Sequence, residues 1–144
     1  MAARARTPLP DLPQGHLLPD TTFALSGERL GSYLDAVGDA NVLYRERRLA
    51  PPLAVAAFAL GTLLDLIELP AGALHTNQSL DVRAGLPIDA TLTLSGRVAQ
   101  RSQRAGMTIT AIDFEVTPAG AASPSLTGRT TILVPDAGRE GAGA

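Results

Sequence analysis

The feature that most constrains this chain is the segment 52–67, PLAVAAFALGTLLDLI, which is apolar on almost every side. It begins at Pro51–Pro52, where a helix tolerates proline because its first N–H groups have no intrahelical partner. A helix that is apolar all round is buried on most of its surface, whereas a surface helix shows one apolar stripe. The sequence therefore predicts a buried helix that Pro70 ends and that the rest of the chain must surround.

Behind this helix the hydrophobic period changes from that of a helix to that of a strand. From Ala73 onward apolar residues recur at alternate positions, as they do in half-buried strands. Turn-forming residues separate these stretches at Arg104–Gly106 and, more loosely, at Pro118–Pro124. The pattern predicts strands through 74–82, 92–98, 112–116 and 130–134, with a shorter first strand at 22–25.

Ahead of the buried helix, the segment SGERLGSYLDAVGD predicts a short amphipathic helix. Ser26 is placed to cap its start, and Gly38 is the residue type that commonly ends a helix. Its apolar residues fall on one face: Leu30, Tyr33, Leu34 and Val37.

The order strand, helix, buried helix and four antiparallel strands predicts an α+β hot-dog fold. In that fold an antiparallel sheet, here of about five to six strands, wraps around the central helix. An ordinary α+β sandwich and a lipid-binding barrel have the same periodicity and remain open. The predicted domain spans 18–135, after an extended or disordered arm at 1–17 and before a flexible tail at 136–144. Because such a domain leaves a helix face and a sheet edge uncovered, we expect a homodimer or a heterodimer with another hot-dog subunit.

Composition narrows the classes of function. The chain of 144 residues has no cysteine, two histidines and a net charge of −2. These values argue against a metal site, a cysteine nucleophile and general nucleic-acid binding. The longest uncharged run, 49–64, is shorter than the ~20 residues of a membrane span, and no apolar signal core follows the first arginines. We therefore expect a cytoplasmic protein with no membrane segment.

A specific resemblance is carried by three stretches in order: YLDAVGDANVLY, then LAPPLAVAAF, then LHTNQSLDVRAGLPIDATLTLSGRV. Together they resemble the MaoC-like dehydratase/hydratase family, and in particular the N-terminal dehydratase half of type I fatty-acid synthases. That family's loop reads Gly-Asp-x-Asn-Pro-x-His. In this chain Val42 replaces the proline and Tyr44 replaces the histidine, and the later turn before Asp89 lacks the family's glycine.

The resemblance implies reversible hydration of a trans-2-enoyl thioester to the (3R)-hydroxyacyl thioester, with no cofactor. Asp39 and Asn41 fall on the family's aspartate and asparagine. Tyr44 falls on the catalytic histidine, and an unperturbed phenol, with a pKa of ~10, is a poor base at neutral pH. The resemblance thus predicts a protein that binds acyl thioesters with weak or absent catalysis. Alternatively, the three residues form an ordinary turn closed by a half-buried aromatic ring.

Further residues are candidates for the same site. His75 is a candidate for the missing base, although a partly exposed histidine on a strand is the simpler interpretation. Arg45, Arg47 and Arg48 are candidates for gripping the phosphates of coenzyme A or the acidic surface of an acyl carrier protein, unless they form a solvated face. Backbone N–H groups near Pro52 and Leu53, at the start of the buried helix, are candidate donors to the thioester oxygen.

A hot-dog acyl-CoA thioesterase is the alternative function. Such an enzyme needs an acid or base that directs water at the carbonyl carbon, often from the buried helix. In this segment only Asp65, near its C-terminal end, qualifies.

Overall fold

The computed structural model describes residues 6–136. Its helices are α1 (Gly27–Val37), α2 (Leu43–Arg47) and α3 (Pro52–Leu64), together with a 3-10 turn at Leu9–Asp11. Its strands are β1 (Thr7–Pro8), β2 (Thr21–Ala24), β3 (Leu49–Ala50), β4 (Ile67–Glu68), β5 (Leu74–Val82), β6 (Leu86–Pro87), β7 (Thr91–Arg104), β8 (Met107–Pro118) and β9 (Leu126–Pro135).

One antiparallel sheet of five strands dominates the structure, in the order β2-β7-β8-β9-β5. β7 and β8 form a hairpin whose turn has Ala105 at φ 52° and Gly106 at φ 77°. Two successive positive φ values suit the right-handed twist of a two-residue hairpin. The turn predicted at Arg104–Gly106 is therefore confirmed. Of the described strands, β2 and β5 each have one neighbour in this sheet, so the sheet is open and the barrel alternative is wrong.

The helix α3 packs against the inner face of this sheet. Four of its residues are fully or nearly fully buried: Ala54, Val55, Ala59 and Leu63. They share one core with inward-facing residues of the central strands, including Leu94, Val98, Ile112 and Phe114. Burial of side chains of this size contributes roughly 1.5–3 kcal/mol each for Val, Leu, Ile and Phe. The hot-dog arrangement predicted from the sequence is confirmed.

The helix ends earlier than the apolar run that predicts it. Its last residue is Leu64, and Asp65 takes the C-terminal capping position. Ile67 lies in β4, where it pairs with Thr7 of β1 and is 1% exposed. The prediction that the helix continues to Pro70 is wrong, because a short strand pairing buries Ile67 in place of a further helical turn.

The segment before β2 lies against the domain. Leu9 and Leu12 are buried in the core, and backbone bonds from Gly15 to Val98 and from Leu18 to Gly96 hold this stretch along β7. From Thr7 onward, the segment predicted as an arm at 1–17 therefore contributes to the core. Of the tail predicted at 136–144, only Asp136 belongs to the described residues.

The amphipathic helix α1 covers part of α3. Ser26 caps it by accepting a hydrogen bond from the backbone N–H of Arg29 at 3.1 Å, as predicted. The rings of Tyr33 and Phe58 lie 6.4 Å apart at 54°, and the Arg29 guanidinium sits 4.4 Å from the centre of the Phe58 ring. These contacts pack Arg29 and Tyr33 of α1 against the middle of α3.

Candidate functional site

The loop after α1 is shaped by a left-handed glycine. Gly38 has φ 72° and donates its N–H to the last carbonyls of α1, and the N–H of Asp39 donates to Leu34 O at 2.9 Å. These bonds satisfy carbonyls that the end of a helix would otherwise leave free. As predicted, Gly38 ends the helix, and the chain turns there toward α2.

Asp39 and Asn41 then form two consecutive turns with their own side chains. Asp39 Oδ1 accepts from the N–H of Asn41 at 2.9 Å, and Asn41 Oδ1 accepts from the N–H of Leu43 at 3.0 Å. Side chains of this type commonly mimic a backbone turn in this way. Both residues are exposed. Each carboxylate or amide is thus used locally, while its remaining oxygen or nitrogen faces outward.

These two residues border an open cavity of about 420 Å³, which we call the loop cavity. Its other walls come from the end of α1 and the start of α2, and include Leu34, Gly38, Val42 and Arg45. Neither Tyr44 nor either histidine lines it. The loop cavity therefore holds two carboxylates, from Asp35 and Asp39, with one amide and one guanidinium beside apolar side chains.

Tyr44 lies on the other side of α2. It is half-buried and lines a second cavity, of about 270 Å³, between α1, α2 and the residues after β6. We call this cavity the α1–α2 groove; its lining residues include Leu30, Leu34, Tyr44, Arg45, Arg48 and Asp89. Leu34 and Arg45 border both cavities, so the two are neighbours with α2 between them.

Asp89 joins three parts of the chain at the edge of this groove. Its Oδ2 lies 3.1 Å from Nη2 of Arg48, and its Oδ1 accepts from the N–H of Gly27 at the start of α1. Asp89 and Arg48 both have positive φ, 67° and 51°, a conformation that most non-glycine residues avoid. The ion pair thus ties the end of α2 to the start of α1.

The two histidines lie elsewhere. His75 is exposed on β5, its Nε2 is 3.1 Å from Asn77 O, and it borders a small cavity of about 40 Å³ beside Leu60 and Leu64. His16 borders a cleft of about 120 Å³ that Asp65 also lines. Within this chain, then, the structure brings Asp39 and Asn41 together but brings neither Tyr44 nor His75 into their cavity.

The remaining predicted residues lie on α2, at its end and at the start of α3. Arg45 borders both cavities, Arg48 is paired with Asp89, and Arg47 is exposed at the end of α2. Pro52 begins α3, and Leu53 is 67% exposed. Among the described residues no side chain caps this helix. Pro52 has no N–H and the N–H of Ala54 donates to Pro51 O, so the N–H of Leu53 is the candidate donor at the positive end of the helix dipole.

This arrangement can bind more readily than it can catalyse. Hydration of an enoyl thioester needs a base and an acid beside the same water, and the loop cavity holds a carboxylate without an imidazole. It does offer two carboxylates, an amide and a guanidinium for hydrogen bonding.

Two features of the site escaped the sequence analysis. The role of Asp89 as a link between α1 and Arg48 depends on residues far apart in the chain, and only its place in the degraded family turn marked it. Gly27 and Gly31, four residues apart on α1, leave the α1–α2 groove open, and their helical spacing was the available signal.

Residues 6–136 contain neither a helix suited to cross a membrane nor a cluster of metal ligands. No helix there combines the length and apolar character that a bilayer crossing requires. That part of the chain also contains no group of three or more His, Asp and Glu residues placed to hold a metal ion.

Sequence comparisons return no match: no family model fits the chain, and no curated protein matches it. Solved structures do resemble it in fold. A MaoC-like dehydratase from Rhodospirillum rubrum superposes with a TM-score of 0.71 at 12% identity, covering 89% of this chain and 96% of that one. An (R)-hydratase from A. caviae involved in PHA biosynthesis gives 0.70 at 14%, with coverage of 87% and 98%.

A third neighbour belongs to a complex. The HadBC (3R-hydroxyacyl-ACP dehydratase) complex from Mycobacterium tuberculosis contains a chain that superposes with a TM-score of 0.70 at 15% identity. The match covers 83% of this chain and 96% of that one. The neighbours are thus MaoC-like dehydratases and (R)-hydratases, and the resemblance seen in the sequence is confirmed in the fold that they share.

Proposed function

We propose that this chain binds an acyl thioester, of coenzyme A or of an acyl carrier protein, at the loop cavity, and that it has little or no hydratase activity by itself. The observation that carries the proposal is the separation of Asp39 from every candidate base. Tyr44 lines the other side of α2, and both histidines border different cavities. The hot-dog neighbours named hydratases and dehydratases support the choice of ligand.

In this proposal each residue of the loop has a binding role. Asp39 and Asn41 keep the shape of the loop through their turns and present polar atoms to the thioester. Arg45, exposed at the same cavity, attracts the phosphates of the carrier, with Arg47 and Arg48 nearby in sequence. At the uncapped start of α3, which begins at Pro52, the backbone N–H of Leu53 is the candidate donor to the thioester oxygen.

The chain then functions as a binding or shaping subunit beside a second hot-dog chain that carries an intact histidine. A free edge on β5 and the 67% exposed Leu53 leave surface for such a partner. The neighbour in HadBC comes from a complex of dehydratase chains, which supports a pairing of this kind. A role for His75 as the missing base remains a prediction that needs a partner to bring it to a loop cavity.

A test of the binding role compares stability with turnover. With crotonyl-CoA, we expect the purified chain to show a higher melting temperature. Hydration, measured as the loss of enoyl absorbance, should not exceed the uncatalysed rate. A ligand at 100 times its Kd stabilises the folded state by about 2.7 kcal/mol. Asp39→Asn is the matched variant. If the chain alone hydrates crotonyl-CoA and Asp39→Asn abolishes this activity, the proposal is wrong and the chain is a self-sufficient hydratase.

A second test asks whether the histidine is the missing part. Because Tyr44 faces the α1–α2 groove, we expect Tyr44→His to leave hydration by the chain alone at the uncatalysed rate. A rate that rises more than tenfold would show that position 44 reaches the loop cavity and would contradict the separation of the two cavities.

A thioesterase remains the second candidate function. Its acid would be Asp65, which shares a cleft with His16 but lies at the C-terminal end of α3, where its carboxylate is 3.7 Å from Arg6. Release of free thiol from acyl-CoA, lost in Asp65→Asn and retained in Asp39→Asn, would favour this function over the first.

A further inference from the structure

The α1–α2 groove is a cavity with an apolar floor. Leu30 and Leu34 line it and are 2% and 5% exposed. Gly27 and Gly31 also line it and contribute no side chain. A Cβ added at Gly31 would meet no other atom within 4 Å. The groove is therefore open because α1 has glycine at a position where any larger side chain would occupy the space.

Four polar or charged residues also line the groove: Tyr44, Arg45, Arg48 and Asp89. Arg48 is paired with Asp89 at 3.1 Å, whereas Arg45 makes no ion pair with any residue in 6–136. Two arginines and one aspartate leave the lining with one net positive charge. Tyr44 adds a hydroxyl that can donate a hydrogen bond.

We propose that the α1–α2 groove is a binding site for a small amphipathic monocarboxylate. Its apolar chain lies on Leu30 and Leu34 beside the two glycines, and its carboxylate accepts hydrogen bonds from Arg45 and from the Tyr44 hydroxyl. This site lies across α2 from the loop cavity, with which it shares Leu34 and Arg45, and it goes beyond the proposed thioester binding. Tyr44 has a role here that does not require it to act as a base.

Size and charge both select this class of ligand. At ~30 Å³ for each water-sized group, a cavity of about 270 Å³ accepts about nine such groups, which suits a medium-chain carboxylate. Two arginines disfavour a cation. A phosphate dianion would leave its second charge uncompensated, because Arg48 already serves Asp89.

The experiment titrates the purified chain with sodium octanoate by calorimetry, and with 1-octanol and octylammonium as neutral and cationic probes. We expect octanoate to bind more tightly than either. Arg45→Gln should weaken octanoate binding about two- to fivefold, the range of exposed charge pairs. Arg104→Gln makes the same change of charge at the distant β7–β8 hairpin and should leave octanoate binding unaltered.

A space-filling variant tests the location. Gly31→Leu should abolish measurable octanoate binding because leucine fills the open space, and the chain should still fold because leucine favours a helix over glycine. Gly61→Leu is the matched control: Gly61 lies on α3, also with no atom within 4 Å of an added Cβ, and it does not line the groove. Melting temperatures confirm that both variants fold.

Three results would overturn the inference: wild-type octanoate binding in folded Gly31→Leu, equal or tighter binding of octylammonium, and no octanoate binding at millimolar concentration. Gly31 lines the groove and not the loop cavity, so the Gly31→Leu result is independent of the thioester proposal, whereas Arg45 borders both cavities. A chain that binds crotonyl-CoA but not octanoate keeps the first proposal and loses this one, and the reverse result separates them equally well.

Discussion

The sheet core and the loop after α1 hold their shapes by opposite means. In the core, residues far apart in the chain bury one another: Phe114 of β8 lies between Gly96 of β7 and Gly128 of β9. In the loop, residues two positions apart bond to one another, as Asp39 does to Asn41. The core therefore depends on non-local packing, whereas the loop depends on local hydrogen bonds that water can replace at modest cost.

The comparison explains why the loop can change in sequence without loss of the fold. Exposed residues of the loop, such as Asp39 and Asn41, contribute little to burial, so substitutions there leave the core intact. Residues of the core lack this freedom because each contacts several strands. Substitutions in the core and in the loop test this contrast.

Phe114→Ala is expected to destabilise the chain by about 3–5 kcal/mol, since a buried phenylalanine leaves a cavity that its glycine neighbours cannot fill. The free energy of unfolding in urea measures this. Val42→Ala is the control from the loop: Val42 is 59% exposed, and its loss should change the free energy by less than ~0.5 kcal/mol. Similar losses at both sites would erase the contrast.

Gly128→Ala tests the same contact from the other side. A Cβ there would lie 2.6 Å from Phe114 Cζ and 2.7 Å from the backbone oxygen of Ser79, and overpacking of this kind costs about 1–3 kcal/mol. Gly61→Ala, where an added Cβ meets nothing within 4 Å, should instead stabilise by about 0.5–1 kcal/mol. A neutral Gly128→Ala would mean that the sheet moves apart without cost.

Asn41→Ala removes the side-chain acceptor at the start of α2. We expect a loss of about 0.5–1 kcal/mol, within the range of one net hydrogen bond, with faster amide exchange confined to Leu43 and its neighbours. Asn41→Asp keeps the acceptor oxygen and should retain most of this protection. Faster exchange throughout α3 would show that the loop supports the core after all.

The smallest expected effect concerns an ion pair on the outer side of the sheet. Hydrogen bonds from Arg129, at 2.6 and 3.0 Å, lower the pKa of Asp113 against the opposing effect of burial, and they raise the pKa of Arg129. A lowered pKa means that the stabilisation is present above the pKa of an unfolded aspartate, ~3.9, and is lost as the pH falls through the lower, folded value.

In Asp113→Asn and in Arg129→Gln this acid-dependent loss should therefore be smaller than in the wild type. Urea midpoints measured from neutral pH down to pH ~3, below the pKa of an unfolded aspartate, test this. If all three proteins lose stability equally on acidification, the pair does not contribute to the acid response.

Much of the fold could be predicted because it is written in local patterns. Ser26 and Gly38 begin and end α1 as predicted, and the alternating residues of the four long strands lie where the pattern places them. The helix α3 forms where the apolar run begins. Its end at Leu64 could not be predicted, because it depends on the pairing of Ile67 with Thr7, far earlier in the chain.

In the site, too, some features depend on local sequence and others on how distant segments pack. By itself the sequence determined a buried helix, its strands and a loop rich in turn-forming side chains, because hydrophobic period and turn chemistry act over a few residues. Only the tertiary structure decided that Asp39 and Tyr44 face different cavities, and that Asp89 joins α1 to Arg48. Those relations depend on how α1, α2 and the turn after β6 pack together, and no local pattern contains that packing.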